Sequence, residues 1–509
     1  MSPDLRRAAA AACSLALAGA ALAGCATGAT DEAGPGATDA ATTCAALTTV
    51  YGTFPQGTTV TIATPFTGEE AAAFDASLAA FSECTGISVV QEGSDTLEES
   101  LRAHLPAPAS PPTGTAGAPP TAESEAAGPE TTGPGTSAGG AAQVADPVTA
   151  DLAVVPQPGL ITELVRAGLV TEAPEVVAAN TELGWEDVWA RAGTVDGTLY
   201  AAPLMASVKS FVWYSPAAFA RAGYEVPETW EDLLALTRQV VEDHPDGDVA
   251  PWCVGAADGA TTGWPLSDWL EDALLATEGT TAYDAWAGHE VPLDDRRAVQ
   301  ALNALGQLLL AEGHVAGGGQ GAVTTTVEQA GEQLVSGSCL MLHASSSFET
   351  LLPAGTVVTD GRDTRADGVS TFLLPSVDDG ERAVLVGGDY LVALAHGSDA
   401  ATAGAPSDAR TAVMSYLTSA QWAAERVAMG GVASANRGAR GVEASSPVAE
   451  AASDILQSRQ SVIRFDASDM MPSQVGTRAL WDALTGWAVG ERTAADALGR
   501  ADDAWPEER

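Results

Sequence analysis

Apolar positions along the chain fall into two kinds of run, which alternate. "TVTIATPF" (59–66), "ISVVQEG" (87–93) and "ADLAVVP" (150–156) are short and β-branched or continuously apolar, and they predict strands. "GEEAAAFDASLAAFSECTG" (68–86) instead spaces Ala72, Phe74, Leu78 and Phe81 near the helical period and ends on Gly86. "TLEESLRAHL" (96–105) and "GLITELVRAGLV" predict helices after the second and third strands. A β-α-β-α-β-α order implies a mostly parallel sheet with helices on both faces. The logic recurs over 197–243, where Thr229 and Asp232 form a capping-box-like start to the helix "WEDLLALTRQVVED". "SGSCLMLHAS" (336–345) and "AVLVGGDYLVALA" (383–395) read as strands, and 407–431 as one long helix ending on a double glycine. No solenoid repeat is present.

One helix start raises a question about chemistry. "GWPLSDWLED" (263–272) puts Pro265 at a first helical position, with Leu266, Leu270, Ala273 and Leu274 as a core stripe. Trp264 precedes that stripe, and Asp268 lies on another face, so both are candidates for a site. Trp269, three residues after Leu266, fits core and site equally well.

The 509 residues carry a net charge of −44 with 46% hydrophobic and 18% charged residues, enough for one large or two ordinary globular domains. Such an acidic chain is repelled by phosphate backbones, so no nucleic-acid partner is expected. Lys209 is the only lysine. At the N-terminus, Arg6 and Arg7 precede a short alanine-rich apolar run ending in "LAGC" (22–25). The order resembles a bacterial lipoprotein signal, with 1–24 removed, Cys25 acylated and 25–43 a flexible tether; the arginine pair leaves the choice of general or twin-arginine export open. Residues 106–142, rich in Pro, Gly, Ser, Thr and Ala, read as a disordered insertion within a domain. With Cys13 removed and Cys25 the anchor, Cys44, Cys84, Cys253 and Cys339 remain, an even number that allows three pairings in an oxidising compartment.

Together "YSPAAFARAGYEVPETWEDL", "DLAVVPQPGL", "PWCVG", "TGWPLSDWLED", "VGGDYLVAL" and "VIRFDASDMMP" resemble the extracellular solute-binding proteins of bacterial ABC importers, of the carbohydrate-binding family 1 type. The resemblance implies an α/β fold of the two-lobed periplasmic-binding-protein type II class, each lobe a mostly parallel sheet flanked by helices, joined by three chain crossings. Lobe one would take 59–205 and 392–430, and lobe two 206–387 and 434–505. Crossings would fall near 206–209, 387–391 and 431–435, with the glycines of the last two acting as hinges. Pairing Cys44 with Cys84 and Cys253 with Cys339 keeps each bond inside one lobe.

The same resemblance implies capture of a carbohydrate in the cleft, delivery to ABC permease subunits served by a separate ATPase, a monomer, no cofactor, and a lipid-anchored position outside the cell membrane. A sugar offers an apolar C–H face to an aromatic ring and hydroxyls to polar side chains. Trp264, Asp268 and Trp269 are candidates on that chemistry, as are Gly388 and Asp389 in the "GGD" turn. Lys209 lies at the first crossing, with Trp213 or Tyr214 after it; Gln157 lies at the carboxyl end of the third strand, where open α/β sheets bind ligands. Thr67 and Glu70 stand at a helix start, where capping also explains them. His343, Arg437 and Arg464 complete the set, with an Arg464–Asp466 ion pair as the plain alternative.

Competing classes are a surface-anchored glycoside hydrolase, a receptor for a non-sugar solute, and an adhesin or structural lipoprotein. With 67 acidic residues, carboxylate pairs arise by chance. The match "GTSAG" around Ser137 lies in the low-complexity insertion and lacks the strand and helix that a nucleophile elbow needs. No P-loop, C-x-x-C or H-E-x-x-H is present, and no metal is expected.

Overall fold

The computed structural model describes residues 35–105, 148–365, 367–377, 382–395 and 405–506. The signal segment, Cys25, the 106–142 insertion and Ser137 lie outside these residues. A helix spans Pro35–Tyr51, so the last nine positions assigned to the tether are helical. Among the described residues no helix is long and apolar enough to cross a membrane.

The first sheet is built on the three expected strands, Thr58–Thr64, Ile87–Gly93 and Leu152–Val155, which pair in parallel. Alternation divides Leu152–Val155 between two cores. Leu152 and Val154 join Phe74, Leu78 and Phe81 on one face; Ala153 and Val155 join Leu160, Ile161 and Leu164 on the other. The second sheet has the order Ser370–Leu373, Phe211–Tyr214, Cys339–His343, Ala250–Cys253. Two disulfides are present, Cys44–Cys84 beside the first sheet and Cys253–Cys339 between adjacent strands of the second.

The long strand Ala383–Leu394 ties the molecule together. It pairs in parallel with Val462–Phe465 through its first residues, and antiparallel with Leu152–Val155 through its last. Along most of its length it is antiparallel to Ala201–Val208. Strand directions are therefore mixed rather than mostly parallel: this strand arrives from the other lobe, not through a β-α-β crossover. The pairing slips between Asp389 and Tyr390, a bulge that re-aims a side chain where the sheet meets the cleft. Gly387 and Gly388 lack positive φ and serve by clearance instead. A Cβ on Gly387 would lie 2.7 Å from Lys209 Cε, and one on Gly388 2.6 Å from the Met205 carbonyl oxygen. The unusual backbone angles belong to Gly430 and Gly431, at φ 88° and 74°.

Two elements differ from the periodicity. The segment 407–431 holds two helices, Ser407–Leu417 and Ala420–Met429, because Ser419 caps the second by accepting from Trp422 N at 3.1 Å. The helix Trp264–Ala287 begins at Trp264, and every residue from Pro265 to Leu275 is buried, including Asp268, Glu271 and Asp272. Its polar face meets protein, not solvent.

Candidate functional site

The polar face of that helix organises the place where the lobes join. Lys209 follows the strand Ala201–Val208, and its N–H donates to the Leu385 carbonyl at 2.8 Å. Its ammonium donates to Asp268 at 3.1 Å, to Asp469 at 3.2 Å, and to Asp466. Ser210 donates to Asp272 at 2.6 Å and accepts from Leu385 N at 2.7 Å. His343 Nε2 lies 2.7 Å from the other oxygen of Asp272. Glu271 accepts from Ala467 N, Ser468 N and the Tyr283 hydroxyl. Asp268, Glu271 and Asp272, at helical spacing, thus hold Lys209, Ser210 and the segment 466–469.

Charges shift accordingly. Burial alone would lower the pKa of Lys209, but the fields of Asp268, Asp466 and Asp469 outweigh it and raise it. Burial opposes ionisation of Asp466 too, yet Lys209 and hydrogen bonds from its neighbours hold it below the usual carboxylate range. Burial, with Asp466 nearby, pushes Asp469 up to about 7. Among the described residues no group of three or more His, Cys, Asp or Glu is arranged to hold a metal ion. The carboxylate trio is filled by Lys209.

Beside this cluster opens a cleft of about 1060 Å³. The first lobe contributes Phe66, Glu70, Glu98, Arg102 and Gln157, from the carboxyl ends of its three parallel strands and the helices that follow. The opposite wall contributes Trp264, Asp258, Arg478 and Trp481. Gly387, Gly388 and Asp389 form part of the back. Asp389 is pushed up to about 7 by burial and by Glu70, against Lys209 and Arg426. Burial also raises Glu70, against Arg426. Glu98 is raised by burial, with Asp258 on the other wall adding to it and Arg102 opposing.

Of the sequence candidates, Glu70, Gln157, Lys209, Trp264, Asp268, Gly388 and Asp389 line the cleft. Trp264 is half-buried, its indole N–H held by Asp258 at 3.0 Å. Asp268 is committed to Lys209 rather than free for a ligand. The remaining candidates lie elsewhere. Trp269 is buried between Trp252 and the His343 ring, which it stacks on at 4.3 Å. These two rings face a separate void of about 20 Å³ behind Trp264. Trp213 and Tyr214 are both buried, because both faces of their sheet are covered and each packs into a different core; Trp213 donates to the Ala344 and Ser345 carbonyls. Thr67 is an exposed N-cap residue outside the cleft lining. Arg464 pairs with Asp284, not Asp466, and Arg437 with Glu186. Trp481 escaped the sequence reading because it sits between Leu480 and Leu484 in an ordinary apolar helix pattern; its N–H donates to Ser267 at 3.1 Å.

Two α/β lobes, continuous strands passing between them and a polar, aromatic-lined cleft in front define a receptor that captures small solutes. The chain belongs to the bacterial extracellular solute-binding protein family, whose sequence pattern matches residues 130–424, more than half its length. It is 30% identical to the osmoprotective compounds-binding protein GgtB of Synechocystis, over 88% of this chain and 92% of that one. It is 29% identical to the alpha-glucosides-binding periplasmic protein AglE of Rhizobium meliloti, over 88% and 87%. Among solved structures, the bacterial solute receptor AcbH, with a preference for β-D-galactopyranose, superposes with a TM-score of 0.64 at 18% identity, covering 87% of this chain and 97% of that one. RafE of Streptococcus pneumoniae gives 0.57 at 13%, covering 88% and 98%. These structures are alike in fold.

Two predictions follow from the charges. Lys209→Met leaves three buried carboxylates without their cation and is expected to lower stability by roughly 3–5 kcal/mol in urea unfolding; an unchanged midpoint would show the cluster to be dispensable. Asp389 and Asp469, with unfolded values near the ordinary ~4, bind protons in the folded state up to about 7. Their contribution favours folding at the acid end of that window and is lost as pH rises through it. Asp389→Asn should therefore flatten the fall in ligand-free melting temperature between about pH 5 and pH 8; parallel wild-type and variant profiles would contradict the assignment.

Proposed function

We propose that this protein is the substrate-binding component of an ABC import system that captures a carbohydrate, an oligosaccharide or α-glucoside-like sugar, between its lobes. The permease and its separate ATPase subunit then receive the sugar from the closed form. The observation that carries this reading is the cleft itself, where the half-buried Trp264 faces a wall bearing Glu70, Gln157 and Asp389. An indole covers the apolar face of a sugar ring, and carboxylates and amides engage its hydroxyls. The name of AglE, an alpha-glucosides-binding protein, supports the choice of sugar class.

In this reading lobe one comprises 59–205 and 392–430, lobe two 206–387 and 434–505, and closure turns about 206–209, 387–391 and 431–435. Ligand drives closure only through higher affinity for the closed state than for the open one. The protein acts as a monomer held on the outer face of the membrane by acylated Cys25. Cys25→Ala should move it from the detergent phase to the aqueous phase on Triton X-114 partition; an unchanged distribution would sink the anchor.

A sugar panel tests the main claim. A matching sugar at about a hundred times its Kd adds roughly 2.7 kcal/mol of stability without product appearing. Turnover would favour a glycoside hydrolase, and a response only to non-sugar solutes would favour the other receptor class. Trp264→Ala should abolish the ligand-induced upshift and change the ligand-free melting temperature little. Unfolding of the ligand-free variant would make Trp264 a core residue instead.

A further inference from the structure

The cleft is unusually short of cations for its carboxylates. Its lining holds eleven acidic residues against three basic ones, and two of those three are engaged: Lys209 by its aspartates and Arg102 by Glu98. The two carboxylates nearest the back of the first lobe are not engaged. Neither the Glu70 nor the Asp389 carboxylate makes a hydrogen bond with any described residue, and the charge of Glu70 reaches Asp389. The buried cation Arg426 acts on both through its field but bonds to neither, donating Nη1 instead to the Gly430 carbonyl at 2.7 Å.

A second observation concerns Gln157, which lines the same cleft and is 8% exposed. Its Oε1 is buried without a partner, and its side chain does not cap the helix Pro158–Arg166 that it precedes. The strand register places it close to this pair. Tyr390 stands opposite Val155, so continuing the antiparallel ladder brings the stretch from Asp389 to Gly388 alongside Pro156 and Gln157. A buried, unbonded amide costs stability unless something else satisfies it. Here an unspent amide and two unspent carboxylates share one end of the cleft.

Neutral hydroxyls can donate to the amide and to the carboxylates, but they bring no charge to offset theirs when the lobes close. A protonated amine donates hydrogen bonds to both and offsets one of the charges, and charge-assisted bonds of this kind are about twice as strong as neutral ones. We infer that the ligand is a glycoside bearing a protonated amine, with the ammonium group seated between Glu70 and Asp389 and the Gln157 amide bonded to an adjacent hydroxyl. This rests on the carbohydrate reading above and narrows it to a cationic class.

Titration calorimetry near pH 7 with a glucosamine trimer, its N-acetylated counterpart and maltotriose tests it. The two amino-sugar probes share a skeleton and differ in charge. The glucosamine trimer should bind at least about tenfold more tightly than the N-acetylated one and weaken as salt rises. Glu70→Gln and, separately, Asp389→Asn should each erase most of that advantage in protein that still melts cooperatively without ligand. Equal or tighter binding of the N-acetylated trimer or of maltotriose overturns the inference and leaves the carbohydrate reading standing. Amine binding that is indifferent to both substitutions overturns the placement of the ammonium group. Silence across all three sugars, from protein that melts cooperatively, overturns the inference and, extended to the wider sugar panel, the carbohydrate reading with it.

Discussion

A single ammonium group stands where the chain must pass between two lobes, and three aspartates from two different segments converge on it. Lys209 follows the strand Ala201–Val208, Asp268 lies on the helix Trp264–Ala287, and Asp466 and Asp469 lie at the start of the short helix Ala467–Met470. None of these charges tolerates burial alone. Desolvating an isolated carboxylate or ammonium costs several kcal/mol, and only close pairing with further hydrogen bonds offsets it. The geometry supplies those bonds: Asp466 accepts from Ser468 and from Asp469 N, and Glu271 accepts from the first N–H groups of the same short helix. Removing one member leaves buried charge uncompensated, whereas replacing all the charged members together by apolar groups of similar shape often costs nothing, so the cluster selects which segments meet more than it adds net stability.

The clearances follow from that meeting. Lys209 reaches its carboxylates by passing over Gly387, whose missing side chain leaves the path open. Gly388 lets the long strand approach Met205 on the neighbouring strand and Trp189 on the helix Asp187–Ala192. The register shifts just after Asp389, which remains opposite Met205 and lines the cleft. A strand that must be both a sheet member and a connection between lobes therefore carries its glycines and its bulge at the same few residues, beside the binding surface.

Much of this was legible in the sequence. Alternation and helical spacing located the strands at 59–66, 87–93 and 150–156 and the helices between them, because these segments form their elements locally. The Thr229–Asp232 capping box was read for the same reason and is present. Less legible was anything decided by contacts distant in sequence. In "GWPLSDWLED" the apolar stripe was clear, but Asp268 read as a residue facing the cleft, and nothing marked Glu271 and Asp272 as buried. They are buried because Lys209, Ser210 and the backbone at 467–468 come to them from 59 or more residues away in the chain. Trp269 fell to the core because His343 and Trp252, both on the second sheet, enclose it. The direction of the long strand was hidden too, since its partner lies more than two hundred residues earlier.

The same surplus of negative charge bears on how the cleft works. Glu98 on one wall and Asp258 on the other are close enough that Asp258 opposes the ionisation of Glu98. Bringing the lobes nearer strengthens that repulsion, and it also removes the water that screens Glu70 from Asp389. Closing an empty cleft is therefore uphill electrostatically, quite apart from the loss of hydration. A ligand that donates to these carboxylates reverses the sign of those terms only in the closed form, where its donors reach both walls at once. If the lobes close on a ligand as proposed, groups that disfavour closure without one would supply the differential affinity that a two-state receptor requires.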